Sequence, residues 1–266
     1  MRELNKGRSS AAKKRPSRYI SKDIRSSKNI PLNERLIIAL DVPSSAEAKK
    51  AVEQLGDTVA FYKLGLQLFM ADGYFDLARW LDGRGKKIFV DLKFFDVPET
   101  VKKAVSQLQR WPAAFITVHG NDGMLKAAVS QRKNGMKILA VTALTSLDRA
   151  DLQDLGFKCD VKDLVLSRAK RALKLGCDGV VSSGLEAPLL RKSLGENFLV
   201  VTPGIRPVDN NEGPKTDDQK RTTDVEEAFT NGADYIVVGR PVMDAPDRRA
   251  AAAGIQERIV NLFARD

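Results

Sequence analysis

The segment FVDLKFFDVPET, residues 89–100, places three charged side chains at the end of an apolar strand. A charge in an apolar segment costs several kcal/mol unless it is paired. Asp91 and Lys93 lie two positions apart, so on a strand they share a face and each can neutralise the other. Such a pair can stabilise charge that develops in a reaction, and the ammonium can supply a proton. The other interpretation is a structural salt bridge, with Asp96 capping the next helix.

A second group of residues has the chemistry of a phosphate site. The segment TPGIRP contains Pro203 and Arg206, and the segment VGRP contains Gly239 and Arg240. Arginine suits phosphate because its planar fork bonds two oxygens at once. Residues 207–222 lie between the two segments and contain no apolar run. A loop of this length predicts either a lid over a phosphorylated substrate or a plain surface loop.

Eight short apolar runs after residue 30 alternate with segments of helical periodicity. The predicted strands are Leu36–Leu40, Val59–Tyr62, Ile88–Val90, Phe115–Val118, Ile138–Leu144, Gly179–Val181, Phe198–Val201 and Tyr235–Val238. The predicted helices include Ala46–Leu55, Phe75–Leu81, Val101–Leu108, Leu164–Leu175 and Val225–Phe229. This alternation predicts an α/β fold with a parallel sheet, and eight units predict a single-domain (β/α)8 TIM barrel. A doubly wound open sheet is the alternative, but no GxGxxG follows the first strand.

Polar residues follow all eight predicted strands, whereas we interpret the strand interiors as apolar. In such a barrel the carboxyl ends of the strands form the mouth that carries the active site. The residues expected there are Asp41, Lys63, Asp91, Lys93, His119, Thr145, Ser146, Ser182, Ser183, Arg206 and Arg240. The charges that interrupt the third strand are therefore predicted to point into one polar mouth.

Helix-start signals agree with this division. Ser44 with Glu47, and Thr223 with Glu226, have the spacing of capping boxes. Pro98 stands where the helix after the third strand begins, a position that tolerates its missing N–H.

The net charge of +10 is concentrated at the amino terminus. Residues 1–30 hold ten Lys and Arg but two Asp and Glu, so residues 31–266 carry only +2. We predict that 1–30 is a basic, disordered and solvated extension and that 31–266 is the catalytic barrel. The extension has no apolar run of the secretory type. A transit peptide and an arm that attracts phosphate without sequence specificity are alternatives, and no specific nucleic-acid partner is indicated.

Several classes of protein and site are disfavoured by the sequence. No run approaches the roughly 18 apolar residues of a membrane span, so no membrane partner is predicted. The two cysteines, Cys159 and Cys177, form no CxxC pair, which favours a reduced, cytoplasmic protein. No His, Cys and carboxylate cluster has metal-ligand spacing, so no metal is predicted. Ser182 and Ser183 lack the GxSxG context of a serine nucleophile.

Seven successive segments resemble the signatures of orotidine 5'-phosphate decarboxylase, most closely its bacterial branch. They lie in the family's order from about Leu36 to Val242 and are LIIALDV, YKLGLQLF, FVDLKFFDVPETV, VTALTSLD, LVVTPGIRP, DDQKR and YIVVGRPV. The DxKxxD pattern alone is shared with sugar-phosphate decarboxylases and aldolases of the same superfamily, whereas the full series is specific. The segment VHGNDG departs from the family pattern, and the resemblance assigns no role to His119.

The resemblance implies a homodimer that converts orotidine 5'-monophosphate to uridine 5'-monophosphate and CO2, the last step of de novo pyrimidine synthesis, without metal or organic cofactor. It implies an alternating charge array, with Asp96 and Thr100 reaching the partner's site, and a set of substrate-binding residues. The array is Lys63, Asp91, Lys93 and Asp96. The binding residues are Asp41 and Lys63 at the ribose, Thr145 and Ser146 at the pyrimidine, Pro203 in the cavity wall, and Arg206, Gln219, Gly239 and Arg240 at the phosphate, with Gln219 bridging towards the base.

Two alternatives belong to different classes. One is a magnesium-dependent 3-keto-hexulose-phosphate decarboxylase or synthase. Those enzymes resemble this chain in fold but have an acidic residue near the position of Lys63 and lack the DDQKR segment. The other is a non-catalytic barrel that binds nucleic acid through its tail, for which deletion of residues 1–30 would abolish function.

Overall fold

The computed structural model describes residues 28–207 and 221–264, which form a closed barrel of parallel strands. Each strand pairs with the next along the chain, and the last pairs with the first through Ile37 opposite Val237. The strands are β1 (Leu36–Ala39), β2 (Phe61–Leu64), β3 (Lys87–Phe94), β4 (Phe115–His119), β5 (Lys137–Val141), β6 (Gly179–Val181), β7 (Leu199–Thr202) and β8 (Tyr235–Val238). The predicted (β/α)8 barrel is confirmed.

Helices follow the strands and cover the outside of the barrel. They are α1 (Ser45–Leu55), α2 (Leu66–Phe69), α3 (Tyr74–Asp82), α4 (Pro98–Leu108), α5 (Asp122–Ser130), α6 (Arg149–Asp154), α7 (Val161–Lys174), α8 (Ala187–Leu194), α9 (Val225–Thr230), α10 (Arg240–Met243) and α11 (Arg248–Phe263). Short 3-10 turns lie at Leu32–Glu34 and Gly56–Thr58.

The helix-start predictions have mixed outcomes. The Ser44 hydroxyl accepts a hydrogen bond from the Glu47 N–H at 3.2 Å, and Pro98 is the first residue of α4, as predicted. The cap at Thr223 is wrong, because Asp224 is the residue that precedes α9. Thr223 instead forms a parallel bridge with Ile205, so its backbone belongs to the loop that leaves β7.

Alternation along the strands separates two apolar cores. On β1, Ile38 packs between the sheet and the helices, whereas Ile37 points into the barrel. On β3, Val90 and Leu92 pack outwards, which leaves the inward positions to Phe89 and the charged residues that follow it. The predicted assignment of the two faces of β3 is confirmed for these residues.

Aromatic rings fill the barrel interior below the mouth. The ring centroid of Phe115 lies 5.0 Å from that of Phe61, 5.0 Å from that of Tyr235 and 5.8 Å from that of Phe89. These four residues belong to the inner core and are nearly inaccessible to solvent. Aromatic packing of this kind makes a dense, apolar floor beneath the inward-facing polar residues.

A buried charge cluster closes the amino-terminal end of the barrel. The Asp234 carboxylate accepts hydrogen bonds from Lys28 Nζ at 2.6 Å, from Arg191 Nη2 at 2.7 Å and from the Val200 N–H at 2.8 Å. Arg35 donates to the Asp234 carbonyl at 3.1 Å. Two positive side chains bind a carboxylate that is only 3% exposed, and a third binds the main-chain carbonyl of the same residue. The cluster therefore ties the segment at Lys28 to β7 and β8.

The predicted boundary of the amino-terminal extension needs a correction. Lys28 lies in the segment assigned to the extension, yet it binds Asp234 and the Phe198 carbonyl. Ile30 packs against the inner core. The barrel domain therefore includes residues 28–30, and the rest of the predicted extension lies outside the described residues.

Within residues 28–207 and 221–264, each helix is too short or too polar to cross a bilayer.

The Asp234 cluster gives a stability prediction. We expect Asp234→Asn to lower the free energy of unfolding by about 3 kcal/mol, because it removes the buried negative charge that Lys28 and Arg191 share. Urea denaturation at pH 7 measures the change. The matched control is Asp76→Asn, which removes an exposed i,i+3 pair with Arg79 and should cost less than about 1 kcal/mol. Equal effects of the two substitutions would contradict the assignment of a stabilising cluster.

Candidate active site

A cavity of about 720 Å³ opens at the carboxyl ends of the strands. Polar groups at the ends of four strands and in the two loops after β7 and β8 face this space. The predicted site residues that line it are Asp41, Lys63, Asp91, Lys93, Thr145, Pro203, Arg206, Gly239 and Arg240. The structure thus brings together residues that are up to 199 positions apart in the sequence.

Four charged side chains form an alternating row across the mouth. Lys63 Nζ lies 2.9 Å from Asp41 Oδ1 and 3.7 Å from Asp91 Oδ2. Lys93 Nζ lies 2.9 Å from the same Asp91 oxygen. The order along the row is therefore Asp41, Lys63, Asp91, Lys93, with Asp91 between two ammonium groups.

A bulge in the backbone of β3 falls at Lys93, one residue before the strand ends. The pairing of β3 with β4 shifts register between Val90 and Phe94, and Lys93 has a left-handed φ of 47°. A residue with a side chain adopts this conformation at a cost of about 1 kcal/mol or more unless its surroundings hold it. The Lys93 N–H is held by Thr117 Oγ1 at 2.9 Å. The bulge thus aims the ammonium at Asp91.

Thr117 is a site residue that the sequence interpretation missed. It lies in the middle of β4 and is fully buried. Its hydroxyl accepts from the Lys93 N–H and donates to Asp91 Oδ1 at 2.9 Å. One side chain therefore orients both members of the central pair. The available signal was a hydroxyl on the inward face of a strand whose other members are mostly apolar.

Gly65 is a second residue that the sequence interpretation did not assign to the site. A Cβ at this position would lie 3.0 Å from Asp41 Oδ1 and 3.1 Å from Lys63 Nζ. A side chain here would press on the ion pair, so the glycine leaves room for it.

Electrostatics keep the centre of the row ionised. Burial opposes ionisation of Asp91, but the ammonium groups of Lys63 and Lys93 and the hydrogen bonds from Lys93 and Thr117 outweigh it, so its pKa lies below the usual value. Burial also opposes the charge on Lys63, yet Asp91 and Asp41 raise its pKa above the usual value. Both groups are therefore charged at neutral pH, inside a site that water reaches poorly.

Arginines that follow β7 and β8 line the same cavity. Arg206 follows β7, and its N–H donates to the Thr223 carbonyl at 2.9 Å. Gly239 immediately precedes α10, whose first residue is Arg240. The two guanidinium groups, both lining the cavity, give it the positive charge that a phosphate requires.

Three of the site residues that the resemblance implies do not line the cavity in the described structure, and a fourth is not described. Asp96 and Thr100 are exposed, in the loop after β3 and in α4, and Ser146 lies beside the cavity-lining Thr145. Gln219 and most of the predicted lid lie outside the described residues.

His119 packs against the loop that follows β3. Its ring is perpendicular to that of Phe95, with 5.0 Å between the centroids. Burial, together with the nearby Arg168 and Lys93, holds the pKa of His119 below its usual value. His119 is therefore neutral at neutral pH and supports the loop that carries Asp96. Within 28–207 and 221–264, the side chains of His, Cys, Asp and Glu form no group of three or more that could hold a metal ion.

Known proteins resemble this chain over most of its length. The sequence model of the orotidine 5'-phosphate decarboxylase / HUMPS family matches residues 34–255. An orotidine 5'-phosphate decarboxylase of Methylococcus capsulatus is 59% identical over 239 residues, which cover 90% of this chain and 97% of that protein. The chain belongs to the orotidine 5'-phosphate decarboxylase / HUMPS family.

Further relatives agree with this membership. The orotidine 5'-phosphate decarboxylase of Xanthomonas oryzae pv. oryzae strain PXO99A is 48% identical over 235 residues, or 88% of this chain and 95% of that protein. A crystal structure of the Lactobacillus acidophilus orotidine 5'-phosphate decarboxylase superimposes with a TM-score of 0.73 at 34% identity. The superposition covers 85% of this chain and 99% of the Lactobacillus acidophilus chain. The resemblance derived from the sequence motifs is confirmed.

The role of Thr117 gives a prediction with a defined pH dependence. We expect Thr117→Val to lower the free energy of unfolding at pH 7 by about 1–3 kcal/mol, because Asp91 loses a hydrogen bond while the volume is retained. The folded-state pKa of Asp91 is depressed, so its stabilisation is present above the unfolded pKa of about 3.9 and is lost as the pH falls below it. Urea denaturation from pH 7 to pH 3 should show that the difference in unfolding free energy between the wild type and Thr117→Val narrows only at the acidic end. A difference in unfolding free energy that does not change with pH would contradict the conclusion that Thr117 stabilises the protein through Asp91.

Proposed function

We propose that this chain decarboxylates orotidine 5'-monophosphate to uridine 5'-monophosphate and CO2 at the mouth of the barrel, using Asp91 and Lys93 as its central pair. The observation that carries the proposal is that an alternating row of charges and two arginines line one cavity. Membership of the family and the names of the relatives support the same reaction. This reaction is the last step of de novo synthesis of the pyrimidine nucleotide.

The cavity offers a separate partner for each part of the substrate. The phosphate binds Arg206, Arg240 and the N–H of Gly239, which together supply charge and directional donors. The ribose hydroxyls bind Asp41 and Lys63, at the end of the charge row that is farther from Lys93. Thr145 and Ser146 bind the pyrimidine, Pro203 packs against it, and Gln219 bridges the phosphate and the base.

The charges fit the problem that the reaction poses. The bond between C6 and the carboxylate breaks, CO2 leaves, and the electron pair stays on C6, where the ring delocalises it poorly. In the proposed mechanism the Lys93 ammonium faces C6, stabilises this charge as it develops and then transfers a proton to C6. Because the row is preorganised, little rearrangement is needed at the moment of reaction.

Asp91 has two roles in this mechanism. The hydrogen bond that Asp91 accepts from Lys93 Nζ at 2.9 Å keeps the ammonium aimed. The negative charge of Asp91 also repels the carboxylate of the substrate, and this repulsion is relieved as CO2 departs. The proposed reaction uses neither a metal ion nor an organic cofactor, since Lys93 provides both the positive charge and the proton.

A second copy of the chain completes the proposed site. The loop after β3 exposes Phe95 and Val97, which are 63% and 64% accessible, beside Asp96. Large exposed apolar side chains that flank a charge are typical of an interface. We propose a homodimer in which Asp96 and Thr100 of one protomer enter the cavity of the other, so that Asp96 extends the charge row. The barrel acts in the cytoplasm, in keeping with its two free cysteines.

The activity is tested by the loss of ultraviolet absorbance when purified protein meets orotidine 5'-monophosphate in EDTA. We expect turnover in the wild type and a fall in kcat of at least about 10³-fold in Lys93→Ala, which removes both the charge and the proton. Asp76→Asn serves as the control and should be as active as the wild type, because that residue lies on α3. Turnover that needs added Mg²⁺ would instead favour the sugar-phosphate class of the family.

Shared sites are tested by mixing two inactive variants. Lys93→Ala and Asp96→Ala chains are combined, unfolded and refolded together. In a mixed dimer one cavity keeps both residues, so about a quarter of wild-type activity per chain should return at a 1:1 ratio. Two Lys93→Ala populations mixed in the same way are the control and should stay inactive. No recovery in mixed dimers that are shown to form would reject the proposed sharing.

A further inference from the structure

Arg221 joins three loops at the barrel mouth. Its Nη1 donates to Glu186 Oε1 at 2.7 Å, and its Nη2 donates to the Leu144 carbonyl at 2.7 Å. Leu144 belongs to the loop after β5, and Glu186 immediately precedes α8 in the loop after β6. Arg221 itself lies between β7 and α9. Neither contact belongs to the charge row or to the arginines of the cavity.

The contacts of Arg221 are buried. The Glu186 side chain is 3% exposed and that of Arg221 is 12% exposed. A buried carboxylate persists only when it is paired, and removal of one partner leaves the other charge uncompensated. The bidentate fork of arginine also fixes the two acceptors relative to each other, which a single ammonium cannot do. The link is therefore a rigid connection.

Arg221 holds a turn that faces the substrate cavity. The Leu144 carbonyl that it binds also accepts from the Leu147 N–H at 3.0 Å. This hydrogen bond closes a β-turn in which Thr145 and Ser146 are the two central residues. Because Thr145 lines the cavity, the position of the turn determines what the pyrimidine meets.

The same segment is connected to the phosphate side. Thr223, two residues after Arg221, donates its N–H to the Gly204 carbonyl at 3.2 Å and accepts from the Arg206 N–H at 2.9 Å. The loop after β6 packs closely here, since a Cβ on Gly184 would lie 2.6 Å from Thr223 Oγ1. A ligand that fixes Arg206 therefore also fixes the backbone that carries Arg221.

We propose that Arg221 is a positioning residue that couples the phosphate side of the cavity to the turn of Thr145 and Ser146. Phosphate bound at Arg206 holds the Thr223 segment, and Arg221 transmits this restraint to the Leu144 carbonyl. Binding energy from the phosphate is then used to order the groups around the pyrimidine. The inference rests on the proposed function, because it requires a substrate that carries both a phosphate and a pyrimidine.

The test compares orotidine 5'-monophosphate with orotidine, which lacks the phosphate. In Arg221→Lys, kcat/KM for the nucleotide should fall by about 10-fold to 30-fold, whereas kcat/KM for the nucleoside should change by less than about 2-fold. The nucleoside is spared because it never engages the coupling. The matched control is Arg171→Lys, which alters a two-nitrogen contact with Asp122 on the exposed α5–α7 surface and should change neither value.

A second variant distinguishes a loss of coupling from a loss of folding. Glu186→Gln keeps an oxygen acceptor for Arg221 but removes the charge, so it should give a smaller nucleotide-selective loss. Thermal unfolding of each variant is recorded, and Glu186→Gln decides the question if Arg221→Lys does not fold. An equal loss for both substrates, or no loss for either, overturns the coupling. If the folded wild-type protein does not decarboxylate orotidine 5'-monophosphate, the proposed function itself is overturned, which is a separate outcome.

Discussion

The site depends on one buried carboxylate that must stay ionised. Asp91 is taken out of water, which by itself would favour its neutral form, and three neighbours reverse that preference: Lys63, Lys93 and Thr117. Without them the charge would be lost and the row across the mouth would have no centre. The bulge in β3, the hydroxyl inside β4 and the space beside Gly65 all serve to bring these partners within reach.

The barrel supplies what this arrangement needs from its surroundings. Parallel strands deliver eight carboxyl ends to one rim, so charges from distant parts of the chain meet without long loops. The aromatic floor keeps water from approaching from below, which strengthens the attraction between the charges above it. At the other end, the cluster around Asp234 fixes the segment at Lys28 to β7 and β8. Stability and chemistry therefore reside at opposite ends of the same strands.

Much of this architecture could be predicted from the sequence because it follows from periodicity. Apolar runs and the polar residues after them predict the strands, the mouth and the convergence of Lys63 with the Asp91–Lys93 pair. Thr117 was missed because threonine is an ordinary strand residue, and its partners appear only when β3 and β4 are paired. The Thr223 cap was wrong because a tertiary bridge to Ile205 competes with local capping. The contacts of Arg221 join loops that are far apart in sequence, and no local pattern predicts them.

The aromatic floor has a consequence for the traffic of molecules through the barrel. Phe61, Phe89, Phe115 and Tyr235 leave no passage along the axis, so the nucleotide, CO2 and the product nucleotide all use the same opening. Entry of the next substrate must wait until the previous nucleotide has left. The residence time of the product then sets an upper limit on turnover, however fast the carbon–carbon bond breaks. In this protein, natural selection can therefore act on the rate of product release as well as on the rate of the chemical step.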